Sequence, residues 1–147
     1  ATARWVGKAN DGAGGFSASY LFEYNSGFGG SGETALVGDF NGDGFDDIGV
    51  YNAATASWVG KGNDRAGGFS ASYLFEYNSG FGGSSETPIV GDFNGDGFDD
   101  IGVYDASRAS WVGKANDGAG GFSASYLFEY NSGFGGSSET PIVGDFD

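Results

Sequence analysis

The sequence predicts an all-β protein assembled from short antiparallel sheets, and three observations carry that expectation. First, Trp5, Trp58 and Trp111 are spaced 53 residues apart, as are Asp39, Asp92 and Asp145. Aligning residues 1–53 with 54–106 leaves seven differences, and residues 54–94 differ from 107–147 at five positions. So long and clean a repeat means one supersecondary unit copied in tandem. Second, 31 glycines accompany 14 phenylalanines, and Phe, Tyr and Trp make up 17% of the 147 residues. That is too aromatic for a disordered chain, so the glycines serve turns. Third, each unit contains short apolar or alternating runs bounded by Gly- and Asp-rich stretches, the pattern of strands.

The strands follow in order within a unit. "TPIVGDF" (Thr87–Phe93) is apolar and β-branched and runs into an Asp-rich loop. "DIGVY" (Asp100–Tyr104) leaves that loop with Ile101 and Val103 on one face, and "ASWVGK" (Ala109–Lys114) follows a short polar turn. "FSASYLFEY" (Phe69–Tyr77) places Phe69, Ala71, Tyr73, Phe75 and Tyr77 on one side and Ser70, Ser72, Leu74 and Glu76 on the other. Phe69, Tyr73 and Tyr77 also suit a helical spacing, but a short segment between two glycine-rich turns makes a poor helix, and its aromatics favour a strand. Four strands per unit with glycine-rich turns describe a β-propeller blade. A β-solenoid coil is usually about 20–30 residues, roughly half this period. The chain therefore reads as one domain, 1–147, with units 1–53, 54–106 and a truncated 107–147. It would hold eleven antiparallel strands, from Ala3–Lys8 to Thr140–Phe146, or about 2.8 blades.

Composition excludes several functions. There is no cysteine, so neither a disulfide nor a thiolate metal site can form, and no histidine, the usual transition-metal ligand and general base. A net charge of −14 argues against binding a nucleic acid backbone. No apolar run of about 18 residues occurs, so no membrane insertion is expected. The sequence starts at Ala1 without methionine, which fits a mature secreted product, a trimmed chain or a window on a longer array. The aspartates are clustered, four in Asp39–Asp47 and four in Asp92–Asp100. That clustering points to cations.

"DFNGDGFDD" can be read as a metal loop. Asp39, Asn41 and Asp43 occupy positions one, three and five, Gly44 permits a sharp bend, Phe45 can offer its carbonyl, and Asp47 closes the set. Hard oxygen donors without nitrogen or sulfur select Ca²⁺. An EF-hand begins alike but needs flanking helices and a glutamate at position twelve, where Val50 and Val103 stand. The bland alternative is a metal-free Asp/Asn-Gly turn.

The stretch "PIVGDFNGDGFDDIGVY" (Pro88–Tyr104), followed by Trp111, resembles the calcium loop of FG-GAP repeats, also called VCBS repeats. Such repeats build the propeller of integrin alpha chains and occur in bacterial surface proteins and some fungal lectins. The resemblance implies one Ca²⁺ per complete loop, between the first two strands of a blade. Its ligands would be Asp39, Asn41, Asp43, the Phe45 carbonyl and Asp47 in the first copy, and Asp92, Asn94, Asp96, the Phe98 carbonyl and Asp100 in the second. Asp46 and Asp99 fall at a non-ligand position and are expected to face solvent. The third copy keeps only Asp145 and Asp147 and should be empty or weak.

Catalysis is not expected. The acidic residues belong almost wholly to the repeat, leaving no unique carboxylate pair, and His and Cys are absent. Glu23, Glu76 and Glu129 read as solvated faces. "GAGGF" and "SGFGG" lack the Lys-Ser/Thr of a phosphate loop and are turns. The tryptophans read as packing between blades, with stacking on a sugar as the alternative, and Lys8, Lys61 and Lys114 could line a shallow repeated site. Three functions follow: a calcium-stabilised propeller module of an extracellular adhesion or recognition protein, a lectin with one weak glycan site per repeat, or a symmetric scaffold, natural or engineered. Unpaired edge strands at both ends would recruit other copies, favouring a homo-oligomer, a dimer above all, unless the chain belongs to a longer array.

Overall fold

The computed structural model describes residues 3–144 and is all β among them. Ten strands run in chain order as β1 (Trp5–Gly7), β2 (Phe22–Tyr24), β3 (Glu33–Gly38), β4 (Asp47–Asn52), β5 (Ser57–Lys61), β6 (Phe75–Tyr77), β7 (Glu86–Gly91), β8 (Asp100–Asp105), β9 (Ser110–Lys114) and β10 (Phe128–Tyr130). They form one two-stranded sheet, β1-β2, and two four-stranded meanders, β3-β4-β5-β6 and β7-β8-β9-β10. Every pairing is antiparallel, with Val37 opposite Ile48, Val50 opposite Val59 and Tyr51 opposite Trp58 in the first meander. The register repeats in the second as Val90–Ile101, Val103–Val112 and Tyr104–Trp111. Each four-stranded sheet is blade-like, and the first strands of the two, β3 and β7, lie in contact.

The central strands β4 and β8 are buried almost throughout: neighbours cover both edges, β4 lies between the other two sheets, and β8 packs on the first meander. One core joins the two meanders: Leu36, Phe40, Tyr51, Trp58, Phe75 and Phe81 from the first meet Ile101, Val103 and Phe122 from the second. A second core joins the first meander to the β1-β2 unit through Phe28, Ile48, Val50 and Phe69.

Two expectations need correction. The strand read as Phe69–Tyr77 is formed only at Phe75–Tyr77; Phe69 makes a single bridge with Asn63, and turns lie between. The segment turns on itself: Ser70 Oγ donates to Ser72 O (2.7 Å), as its copies do in the other units. Lys61 Nζ donates to the carbonyls of Ser70 (2.8 Å) and Ala71 (2.6 Å), so these groups bond outside a ladder. The alternation fails accordingly, since Phe69 and Phe75 are buried while Tyr73 is 55% exposed. The eleventh strand, Thr140–Phe146, is not a strand over 140–144, and its remainder lies outside the described residues. Its copies β3 and β7 are strands because β4 and β8 pair with them. No counterpart of β4 follows residue 140 within these 147 residues, and a strand needs its ladder.

Candidate calcium loops

The first Asp-rich loop joins β3 to β4 and turns through Gly42 (φ 69°) and Gly44 (φ 83°), left-handed backbone that glycine adopts without strain. Its polar side chains fold inward onto its own amides. Asp39 accepts from Asp43 N at Oδ1 (3.0 Å) and from Gly44 N at Oδ2 (2.7 Å). Asn41 Oδ1 accepts from Asp43 N (2.9 Å), and Asp43 Oδ1 accepts from Phe45 N (3.0 Å). Asp47 closes the base with no exposed surface, accepting from Asn63 N (2.7 Å) and Phe40 N (3.2 Å). Asn41 Nδ2 reaches the same carboxylate at 3.4 Å. Burial pushes the Asp47 carboxyl up to about 6; the two amides oppose the rise, and the charges of Asp43 and Asp39 add to it.

The second loop repeats this geometry between β7 and β8. Asp92 Oδ1 accepts from Gly95 N (2.7 Å) and Asp96 N (3.1 Å), and its Oδ2 accepts from Gly97 N (2.9 Å). Asn94 Oδ1 accepts from Asp96 N (2.8 Å), and Asp96 Oδ1 from Phe98 N (2.9 Å). Asp100, also fully buried, accepts from Asn116 N (2.8 Å) and Phe93 N (3.1 Å), and burial raises its pKa. The Gly97 amide leads the bonds that hold Asp92 below the usual carboxylate range. Asp145 and Asp147 of the third copy lie outside the described residues.

In each loop the predicted side-chain ligands bond to amides of the loop and its neighbours. Among the described residues, however, no three carboxylates stand close enough together to grip a metal as placed. Like charges separate, and each carboxylate finds an amide. The donor set still fits a hard cation. It is all oxygen, each carboxylate oxygen that holds one amide keeps a second lone pair, and the loop surrounds a buried anion that no cationic side chain touches.

Three contributors escaped the sequence reading. Asp99, expected in solvent, is half-buried: its Oδ2 accepts from Asp39 N of the preceding loop at 2.7 Å, while Asp99 N donates to Asp39 O at 2.8 Å. Burial raises its pKa, and the Asp39 amide counters this. Asp46 is exposed, as expected. Asn116 donates from Nδ2 to Phe40 O (2.8 Å) and Asp99 O (3.0 Å), tying the first loop to the second. Arg65 Nη2 pairs with Asp43 Oδ2 at 3.0 Å, and its guanidinium covers the Phe45 ring at 4.8 Å. Desolvation pushes the Asp43 carboxyl up, but Arg65 and the Phe45 amide outweigh it, and the net shift is downward. The only signal for Arg65 was its place among the few positions where the units differ.

The tryptophans pack, as expected. Trp58 is fully buried, and each indole donates to a carbonyl 23 residues on: Trp5 to Phe28 (2.8 Å), Trp58 to Phe81 (2.9 Å), Trp111 to Phe134 (2.9 Å). Lys61 lines a cleft with Tyr24, Phe28, Phe69 and Tyr73, but neither its ammonium group nor that of Lys114 is free for a ligand. Both are buried, their ammonium groups bonded to two carbonyls each and covered by aromatic rings.

Residues 39–103 match the family model of the FG-GAP-like repeat. This stretch is similar to an FG-GAP-like repeat. It opens on Asp39, contains both calcium-loop candidates and ends inside β8. No curated protein and no solved structure gives a significant match.

Proposed function

We propose that this chain is a calcium-stabilised β-propeller module of an extracellular adhesion or recognition protein. The observation that carries the reading is an all-oxygen loop closed by a fully buried carboxylate, built twice with the same amide contacts. FG-GAP-like repeats are typical of extracellular proteins, where calcium is millimolar. The reading is of a binding module rather than a catalyst. Glu23, Glu76 and Glu129 are exposed and each bonds the asparagine two residues on, Asn25, Asn78 and Asn131, with Glu23 also paired to Arg4 (2.9 Å).

Thermal melting tests it. If the sites bind with Kd about a hundredfold below free Ca²⁺, each contributes about 2.7 kcal/mol. EDTA should therefore lower Tm, with recovery in Ca²⁺ and a smaller one in Mg²⁺, which demands tighter octahedral geometry. Asp43→Ala combined with Asp96→Ala should melt in Ca²⁺ as the unaltered protein does in EDTA. Superimposable curves with and without chelator would sink the metal assignment.

Glycan binding is a second reading, favoured by a different observation. A cleft of about 630 Å³ between the first two units is walled by Tyr24, Phe28, Phe69 and the exposed Tyr73, rings on which a sugar face can stack. A glycan array separates this role from a purely structural one.

A further inference from the structure

The three copies of one phenylalanine differ sharply in exposure. Phe69 and Phe122 are each 8% exposed, whereas Phe16 is 70% exposed. The cause lies in the preceding unit. Phe69 sits edge-on to Phe22 (5.3 Å) and Tyr24 (5.5 Å), and Phe122 repeats the arrangement on Phe75 (5.2 Å) and Tyr77 (5.3 Å). Each unit therefore presents a phenylalanine knob on one side and a Phe/Tyr socket on the other. Among the described residues one knob and one socket are unfilled. The knob is Phe16; the socket is Phe128 with Tyr130, the latter 52% exposed, flanked by Phe134 at 68%.

Beside that socket, residues 140–144 already follow the internal pattern. A Cβ on Gly91 would meet Val143 at 2.7 Å, just as one on Gly38 would meet Val90 at 2.7 Å. The segment thus lies against β7 as β7 lies against β3, and it marks the place of a following sheet. The open socket faces that place, where the β1-β2 unit of another molecule has the matching knob.

We propose that a chain of these 147 residues binds a second copy of itself head to tail, with Phe16 of one molecule seated on Phe128 and Tyr130 of the other. The occupant is a second copy because the same contact is made twice inside the chain by near-identical residues. Knob and socket lie on opposite faces, so the contact is heterologous, and a closed dimer would use it twice. The inference stands independently of calcium.

Light scattering across a concentration series, with Ca²⁺ present throughout, tests it. The unaltered chain should show a mass above the monomer that falls on dilution. Phe16→Asp and Tyr130→Asp change exposed side chains, and each alone should be a monomer with the unaltered circular dichroism spectrum. Mixed, they should recover a one-to-one pair, because the first retains a good socket and the second a good knob. A folded, unaltered chain that stays monomeric at every concentration would overturn the proposal. So would association that survives both substitutions, or a mixture of the two variants that stays monomeric.

Discussion

The loops at 39–47 and 92–100 have the same nine residues in the same order, yet they occupy different surroundings. The first is covered: Asp99 holds its Asp39 amide, Asn116 holds its Phe40 carbonyl, and the Phe98 ring lies so close to Gly42 that a Cβ there would meet it at 2.8 Å. The second has no such cover among the described residues; Asp92 and Asp96 are exposed where Asp39 and Asp43 are half-buried. Arg65 sharpens the contrast, because the matching position near the second loop is Gly118. A repeated sequence therefore specifies a repeated local conformation, while burial and charge depend on which neighbour is present. Each test below sets a residue of one unit against its counterpart in the other.

The largest difference is expected in the tryptophans. Trp58 lies in the shared core with Ile101 and Val103, whereas Trp111 is only half-buried. Trp58→Ala should cost about 3–5 kcal/mol and Trp111→Ala clearly less, as read from urea denaturation. Equal losses would mean that the inter-unit core does not exist as described.

The asparagine pair comes next. Asn116→Ala would leave the buried Phe40 carbonyl without its donor, a loss of about 1–3 kcal/mol. Asn63→Ala removes only exposed bonds, Nδ2 to Asp46 O and Oδ1 from Arg65 N, strands no buried group and should cost less. The same urea titrations measure both.

Arg65 should act on affinity more than on stability. It occupies left-handed backbone (φ 57°), where its copies Gly12 and Gly118 have φ 71° and 66°, and it places a positive charge on a predicted calcium ligand. Its exposed ion pair is worth about 0–1 kcal/mol, so Arg65→Gly should tighten the first site about twofold to fivefold. Calorimetric titration should show the two sites converging, while unchanged binding would remove Arg65 from the site.

The smallest effect is a pH dependence at the turns after β4 and β8. Asp105 is held at about 2, first by the Ser107 hydroxyl (2.6 Å) and then by Arg108, while its counterpart Asn52 cannot titrate. A carboxyl whose folded pKa lies below its unfolded value of about 3.9 contributes stability above that value and loses it as pH falls through about 2. Asp105→Asn should therefore flatten the drop in Tm between pH 4 and 2, compared with the unaltered chain at matched ionic strength.

Much of this architecture is legible in the letters. The 53-residue period, the β-branched runs and the glycine turns gave the strands next to the loops nearly to the residue, because period-2 patterning and turn chemistry are local. The loop geometry was legible for the same reason, since an Asx-Gly turn closes on amides two to five residues away. "FSASYLFEY" misled because its alternation is genuine, but Ser70 bonds Ser72 O and Lys61 bonds two of its carbonyls outside a ladder, and spacing alone carries no sign of that.

By itself, then, the sequence determined the repeating unit, its four-strand rhythm, its all-oxygen loops and the absence of thiol and imidazole chemistry. These depend on residue types at fixed short separations. Only the tertiary structure decided that Asp99 braces the preceding loop, that Arg65 sits on one copy of Asp43 and not the other, and that Phe16 alone of three equivalent rings stands uncovered. Those outcomes depend on which unit lies alongside, and near-identical copies have no local signal for their neighbours.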